Sequence, residues 1–287
     1  MQTRNGNFRA YAKILNRPNF LALARGEQPR NIFNSIDISS LPNSVHTVND
    51  LFGFAFNSNR KFYRNEYIYK TAIVNRVVFG RHSPRTSTLC TELPVGNSIA
   101  DIAIFNGTST AYEIKTELDS SRRLLSQTPD YLKAFEHIYI VTHPRLAEKY
   151  ADSCHYQVGV ASLNGRDSLK IIKPALSNLQ NIDPAVIFRI LRKYEFIAAI
   201  EKINGHPIKL ANGLIRKYCQ EIFCKLDAQE AHRIYLEALR QRSTGEESVQ
   251  FLKSLPEYLR VLGYATSLSK IQKERLLNAL ELPLINT

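Results

Sequence analysis

The sequence predicts an α/β protein: a helix, a three-stranded antiparallel meander, a crossover helix and a further strand, followed by an all-helical C-terminal domain. Alternation of apolar and polar residues on both sides of an Asn-Gly pair predicts a hairpin within the meander. The continuous apolar run from Ile138 to Val141 is typical of a strand buried on both faces. From Asp183 onward the apolar spacing is helical, which predicts helices alone in that part of the chain.

Length and composition set the expected domains and partners. The chain has 287 residues, of which 44% are hydrophobic, enough for one large or two modest domains. We expect a helical or irregular N-terminal extension at 1–60, an α/β core at 61–175 and a helical domain at 180–287. The net charge is +12, which favours a polyanionic partner, nucleic acid first. A basic protein that binds no nucleic acid has the same composition.

The cysteines and the apolar segments indicate a reducing compartment. The four cysteines are scattered, and Cys219 and Cys224 lack zinc-ligand spacing, so all are expected to be free thiols, at Cys90, Cys154, Cys219 and Cys224. The N-terminus leads into no signal-like apolar segment, and no apolar run reaches transmembrane length. The sequence therefore predicts a cytoplasmic protein that does not contact a membrane.

The elements before the meander are expected to be helical. Short helices are predicted at Phe8–Leu15 and around Phe20–Arg25, between prolines that interrupt regular structure. Lys61 to Phe79 is predicted as one helix with an apolar stripe that contains Glu66. A carboxylate in such a stripe costs free energy unless it is paired or binds a cation. Glu66 is therefore either an ion-pair partner of a neighbouring base such as Lys70 or part of a cation site.

The first strand is predicted at Thr88–Val95. Its apolar residues fall on one side and Glu92 on the other. If this strand pairs with Ile99–Phe105, Glu92 lies on the same face as Asp101. The first strand therefore offers a second acidic residue near the hairpin.

The hairpin that follows separates charged from apolar residues. On both strands the apolar residues occupy even positions and the charged residues odd positions. Residues that pair across the two strands point to the same face of the sheet. A two-residue loop would therefore put the apolar residues of one strand on the same face as the charged residues of the other. We predict a three-residue loop with Gly107 as a left-handed bulge residue, which pairs Ile104 with Thr108. Asp101 then lies diagonal to Glu113, on the same face.

Asp101, Glu113 and Lys115 together have a chemical use. Carboxylates bind hard cations such as Mg²⁺ (or Mn²⁺) through oxygen. The cation can polarise a phosphoryl oxygen and acidify a bound water. A lysine can orient that water or offset charge that grows on the phosphate. The structural alternative is an exposed strand on which Glu and Lys form a weak pair.

Asp101 and the segment Glu113-Ile114-Lys115 resemble the signature of the PD-(D/E)XK nuclease superfamily. Ala100 stands where the signature has proline. The resemblance covers about residues 61–175. It implies a restriction-endonuclease-like core and metal-dependent phosphodiester hydrolysis. Asp101, Glu113 and the Ile114 backbone carbonyl would bind the metal, and Lys115 would position the attacking water.

The resemblance also implies a third acidic residue, often on the helix before the first strand. Glu66 fits that position and Glu92 competes with it, and the sequence leaves both open.

The helical stretch after the hairpin carries further candidates. Arg122 and Arg123 are either phosphate contacts or part of a solvated helix face. Gln127 and Tyr131 resemble a Gln-x-x-x-Tyr element that lies beside the active site in some branches of the superfamily. Pro129 lies between them and predicts that the helix restarts near Thr128, with Gln127 just outside it.

In the rest of the chain, strands and helices are predicted to alternate as far as Ile172, and the part from Asp183 onward is predicted to be helical. A buried strand at His137–Thr142 completes a crossover that is right-handed by default. A short helix and a second hairpin are expected next, at Pro144–Tyr150, Tyr156–Leu163 and Ser168–Ile172. Further helices follow, at Asp183–Ile203, Pro207–Lys225, Asp227–Arg242, Glu246–Ser254, Glu257–Gly263 and Ser267–Glu281.

Three functions compete at this point. The first is a metal-dependent nuclease, with DNA preferred over RNA as substrate. The second is a nucleic-acid-binding protein that retains a nuclease fold without catalysis. The third is an assembly protein whose C-terminal helices bind a protein partner or a second copy of the chain. Retention on a phosphate resin with a steep salt dependence would disfavour the third.

Overall fold

A computed structural model describes residues 8–117 and 124–284. These residues form an α/β structure with one six-stranded mixed sheet and many helices. It divides into two compact units, one made of Met1–Arg76 with Glu247–Thr287 and the other of Val77–Glu246. No helix in the described parts of the chain is long and apolar enough to span a membrane.

The first unit is helical and is built from both ends of the chain. Its N-terminal helices are α1 (Phe8–Ile14), α2 (Arg17–Arg25), α3 (Pro29–Ile32), α4 (Val48–Phe62) and α5 (Glu66–Ile73). Phe20 and Leu51 share a buried core with Leu259 and Leu276 from the other end. The apolar stripes of the two segments therefore cover each other.

Helix α4 is not among the short helices predicted for the N-terminal extension. A capping box begins it: the Thr47 hydroxyl accepts from the Asp50 N–H at 3.1 Å, and the Asp50 carboxylate accepts from the Thr47 N–H at 2.9 Å. The helix predicted from Lys61 begins at Glu66 instead, because the chain leaves helical geometry at Tyr63. It then continues as a π-helix over Val74–Arg81.

The second unit is organised around the sheet. Its strands lie side by side in chain order, as β1 (Thr88–Val95), β2 (Ser98–Phe105), β3 (Ser109–Lys115), β4 (His137–Thr142), β5 (Gly159–Leu163) and β6 (Leu169–Lys173). The first three form an antiparallel meander. β3, β4 and β5 are parallel, and β6 returns antiparallel to β5. The carboxyl ends of three strands therefore meet at one edge.

The β2–β3 loop has the predicted odd length but a shifted register. Phe105 pairs with Ser109, so three residues form the loop, and Gly107 has φ +111°. Ile104 pairs with Thr110 rather than with Thr108. The turn closes around the Asn106 N–H, which donates to the Thr108 carbonyl at 3.1 Å. The loop was predicted to begin at Phe105 and begins one residue later, at Asn106, because an Asn-Gly pair does not by itself indicate where a three-residue loop begins.

The helices of the second unit are α6 (Leu124–Leu132), α7 (Pro144–Ser153), α8 (Pro184–Ile190), α9 (Lys193–Asn204), α10 (Asn212–Phe223) and α11 (Ala228–Arg240). Helix α6 does not restart at Thr128, because it includes both Gln127 and Pro129. A proline removes one backbone hydrogen bond of a helix, but this segment remains helical despite that loss. The helix predicted from Asp183 has its expected N-cap but ends at Ile190, after which α9 starts anew.

The helices after residue 180 do not form one domain. Phe188 and Tyr235 share a core with Phe105 and Phe135 of the α/β unit. The last helices, α12 (Glu246–Ser254), α13 (Arg260–Ala265) and α14 (Lys270–Leu280), bury residues with the N-terminal helices instead. Helical periodicity identified the elements, but it carries no information about which apolar surface each one covers.

Candidate active site

Asp101 and Glu113 come together at the point where β2 and β3 separate. The paired register ends at Ile102 and Tyr112, and one more step sets Asp101 opposite Glu113. The sequence predicted that Asp101 lies diagonal to Glu113, whereas the observed register sets the two residues directly opposite each other. Its Oδ2 accepts from the backbone N–H of Ile114 at 2.7 Å. A side chain therefore replaces the next backbone bond of the ladder and holds the carboxylate against β3.

Lys115 and Glu113 form a buried ion pair on the same strand. Lys115 Nζ lies 2.6 Å from Glu113 Oε1, and the two side chains are 8% and 3% exposed. The exposed surface strand considered from the sequence is therefore excluded for these two residues. A buried ion is costly unless its partners are close and its remaining atoms are hydrogen-bonded, and the neighbouring helix supplies such contacts.

Helix α6 adds Gln127 and Tyr131, which are one turn apart on the same side. Lys115 Nζ donates to Gln127 Oε1 at 3.4 Å, and Gln127 Nε2 donates to the Tyr131 hydroxyl at 3.3 Å. That hydroxyl lies 2.8 Å from Glu113 Oε2 and 2.7 Å from the Ile99 carbonyl oxygen. One hydroxyl proton thus serves two acceptors. Burial, and then the charge of Glu113, raise the pKa of Tyr131 far above its ordinary value, so the tyrosine stays a donor.

Glu92 is exposed and lies on β1 at the register position opposite Asp101. Thr91 pairs with Ile102 and Leu93 with Ala100, so the regular pairing skips this one position. The backbone of Glu92 has φ +52°, a left-handed conformation that side chains of this type rarely adopt. Strain of this kind concentrates at functional sites. The backbone strain therefore falls at the register position opposite Asp101.

Glu66 lies in the other compact unit, in the first turn of α5. It pairs with Lys70 at 2.6 Å, the ordinary ion pair that the sequence offered as one alternative. Arg122 and Arg123 lie outside the described residues.

The oxygen donors of this cluster fit a hard divalent cation. Mg²⁺ usually takes one or two carboxylates and keeps several waters. Asp101 and Glu113 supply two carboxylates, with the Ile114 carbonyl on the same strand. Within the described ranges, no group of three or more His, Cys, Asp or Glu side chains is arranged to hold a metal. The candidate ligands are therefore two carboxylates, and Lys115 already contacts one oxygen of Glu113.

Two supporting side chains, Thr142 and Asp130, were missed by the sequence analysis. Thr142 Oγ1 donates to the Lys115 carbonyl at 2.6 Å, and Asp130 Oδ2 accepts from the Asn97 N–H at 3.0 Å and from Ser98 Oγ at 2.6 Å. The first depends on the parallel register of β3 and β4, and the second on how α6 packs over the β1–β2 turn. No local pattern in the sequence indicates either.

Comparison with known proteins links the chain to a phage protein. The family model described as bacteriophage P4 protein cII matches residues 59–263. Protein cII of enterobacteria phage P4 is 25% identical over 182 residues, which are 62% of this chain and 64% of that protein. The chain thus spans slightly less than two thirds of that relative. A protein of unknown function from Silicibacter pomeroyi aligns with 50% of this chain and 94% of its own, at 14% identity and a TM-score of 0.32.

Proposed function

The chain belongs to the bacteriophage P4 protein cII family, and within it we propose that this protein is a metal-dependent nuclease with a restriction-endonuclease-like core. One observation carries the proposal: Asp101, Glu113 and Lys115 meet on one face where β2 and β3 part, with Gln127 and Tyr131 directed at the last two. The order of an antiparallel meander, a helix and a parallel strand supports it. We propose nucleic acid, with DNA first, as the substrate.

Each side chain has a role in this proposal. Asp101, Glu113 and the Ile114 carbonyl hold the cation, Mg²⁺ or Mn²⁺. When bound, the cation supplies Lewis-acid polarisation of a phosphoryl oxygen and a more acidic water. Lys115 orients the attacking water or stabilises negative charge on the phosphate. Tyr131 holds the Glu113 carboxylate in one orientation by donating to Oε2.

Glu92 is our choice for the third acidic residue. Its register position is opposite Asp101, where the regular pairing of β1 with β2 skips one position. Its left-handed backbone supports a functional reason for keeping a charged residue there. Glu66 is the weaker candidate, because Lys70 already neutralises it.

A second function is favoured by the hydrogen bonds around Glu113, which occupy both of its carboxylate oxygens. Glu113 is 2% exposed, and each of its oxygens contacts a protein donor. A closed network of this kind stabilises a fold without catalysis. The competing proposal is therefore a nucleic-acid-binding or assembly protein that retains the nuclease fold, with the C-terminal helices as the contact surface for a protein partner or a second copy.

The decisive experiment measures cleavage of plasmid, linear duplex and single-stranded DNA, and of RNA, with Mg²⁺, Mn²⁺ or EDTA. Wild type is compared with Glu113→Gln and Lys115→Ala. We expect cleavage by wild type that both substitutions and EDTA abolish. Glu136→Gln is the matched control, because that carboxylate bonds Thr108 and Ser177 outside the site. Cleavage that survives Glu113→Gln, or no cleavage of any substrate, would overturn the nuclease proposal.

A further inference from the structure

Two exposed arginines lie just beyond the carboxyl ends of two parallel strands. Arg145 lies three residues after β4 and Arg166 three residues after β5. Neither guanidinium forms an ion pair or a hydrogen bond within the described ranges. A charge that neutralises no protein group remains available to a ligand.

Side chains hold the backbone at both arginines. The Arg145 N–H donates to His143 Nδ1 at 3.3 Å at the start of α7. The Arg166 N–H donates to Asn164 Oδ1 at 2.9 Å, and that oxygen also accepts from the Ser168 N–H at 3.0 Å. Both arginines therefore extend from ordered turns, which lowers the entropy lost when a ligand binds.

The strand register aligns these turns with Lys115. Lys115 pairs with Thr142, the last residue of β4, and Thr142 pairs with Ser162 near the end of β5. The ends of β3, β4 and β5 thus form one row, with a spacing of about 4.8 Å between neighbouring strands. Ligands of open α/β sheets bind at this edge.

We propose that Arg145 and Arg166 form a binding edge for the nucleic-acid backbone, with phosphates bound in the row that begins at Lys115. The distance from β3 to β5 is two strand spacings, about 10 Å. At about 3.4 Å of axial rise per nucleotide, this distance corresponds to about three nucleotides of one strand. The proposal rests on the proposed function and adds where the substrate lies.

Guanidinium groups suit this role, because their planar fork matches two phosphate oxygens. Backbone contacts of this kind fix the position of the substrate and carry no sequence preference.

The test measures binding without cleavage. Fluorescence anisotropy of a labelled 20-base-pair duplex is recorded in EDTA between 50 and 200 mM salt, with Glu113→Gln as the parent protein. We expect Arg145→Ala and Arg166→Ala each to reduce the slope of log K against log salt by about one, and the double variant by about two. Arg145→Lys keeps the charge and should retain the slope.

Arg240→Ala is the matched control. Arg240 is also exposed and has no side-chain partner among the described residues, but it lines a cavity of about 510 Å³ beside Gly107, at the opposite end of β3. Its removal should leave the slope unchanged. Equal effects at all three arginines, or none at Arg145 and Arg166, would overturn the proposal. Slope changes confined to Arg145 and Arg166 would support the binding edge even if wild type cuts no substrate. Cleavage by wild type without such slope changes would refute the binding edge and leave the nuclease proposal standing.

Discussion

Glu113 is the residue on which the polar contacts of the site converge. Lys115 neutralises one carboxylate oxygen and Tyr131 donates to the other. Because the carboxylate is almost fully buried, its charge depends on these partners rather than on water. Loss of either partner therefore affects the stability of the fold as well as any chemistry at the site.

Replacing Lys115 by methionine should lower the free energy of unfolding by about 3–5 kcal/mol, because it leaves a buried carboxylate without its cation. Adding Glu113→Gln should restore part of the loss, so the double variant should be more stable than the sum of the single effects predicts. Urea unfolding measures all three variants. Lys202→Met removes an exposed ion pair with Glu237 and should cost at most about 1 kcal/mol. Additive effects of the two site substitutions would contradict the coupling.

His232 is a second buried group with a measurable consequence. Ser109 Oγ lies 2.8 Å from His232 Nε2 and accepts from the Glu136 N–H at 2.9 Å, so the serine can donate its proton to a neutral imidazole. Burial lowers the pKa of His232, while the charge of Glu136 opposes that shift. Below the ordinary value of about 6.5, the unfolded chain takes up the proton before the folded chain does.

We therefore expect the unfolding free energy to fall as the pH decreases from about 7 towards 5. His232→Gln should reduce this dependence, as followed by denaturant unfolding at several pH values. His206→Gln changes an exposed histidine and is the control. An unchanged pH dependence in the His232 variant would show that the imidazole is not responsible.

At the scale of elements, loop length and helix caps set the geometry. The three-residue β2–β3 loop keeps the charged positions of both strands on one face, as parity predicted. The loop begins one residue later than predicted, and the new register moves Asp101 from diagonal to directly opposite Glu113. Helix α4 shows the same dependence on local chemistry, because the Thr47 and Asp50 pair marks its start.

Thr47→Ala should destabilise the first compact unit by about 1 kcal/mol, because the Asp50 N–H loses its side-chain acceptor. Thr47→Ser keeps the hydroxyl and should retain most of the stability. Thermal unfolding of the two variants measures the difference. The Thr47 N–H also holds the pKa of Asp50 below its usual 3.8, so this cap should weaken only as the pH falls below that value. Equal melting temperatures for the two variants would exclude the cap as the cause.

At the scale of the whole molecule, the first compact unit depends on both ends of the chain. Phe20, Leu23 and Leu51 are fully buried in a core that also contains Leu259 and Leu276. A chain that stops at residue 246 lacks the second half of that core. The N-terminal helices would then expose their apolar stripes to water, at about 25 cal/mol for each Å².

We expect a chain of residues 1–246 to lose amide protection over residues 8–76 while the strands β1 to β6 remain protected. Hydrogen exchange read by mass spectrometry measures both regions in one experiment. Leu276→Ala in the full chain is the milder form and should lower protection in the same region. Simultaneous loss of protection in the strands would contradict the division into two units.

The sequence by itself determined the elements of the α/β part and the composition of the site. Strand alternation assigned Asp101, Glu113 and Lys115 to one face, because the side-chain period of a strand is two and depends only on the chain. The Asn-Gly turn, the buried strand at His137–Thr142 and the helical C-terminal half followed from patterns that are equally local.

Only the tertiary structure decided which side chains contact the site residues and which helices pack together. Tyr131 and Gln127 reach the hairpin because α6 packs over it and remains helical through Pro129, and Thr142 contacts Lys115 through the parallel register. The association of the last three helices with the first five was likewise not predictable from periodicity. An apolar stripe specifies that a surface is buried but not which surface covers it, because the hydrophobic effect has no direction.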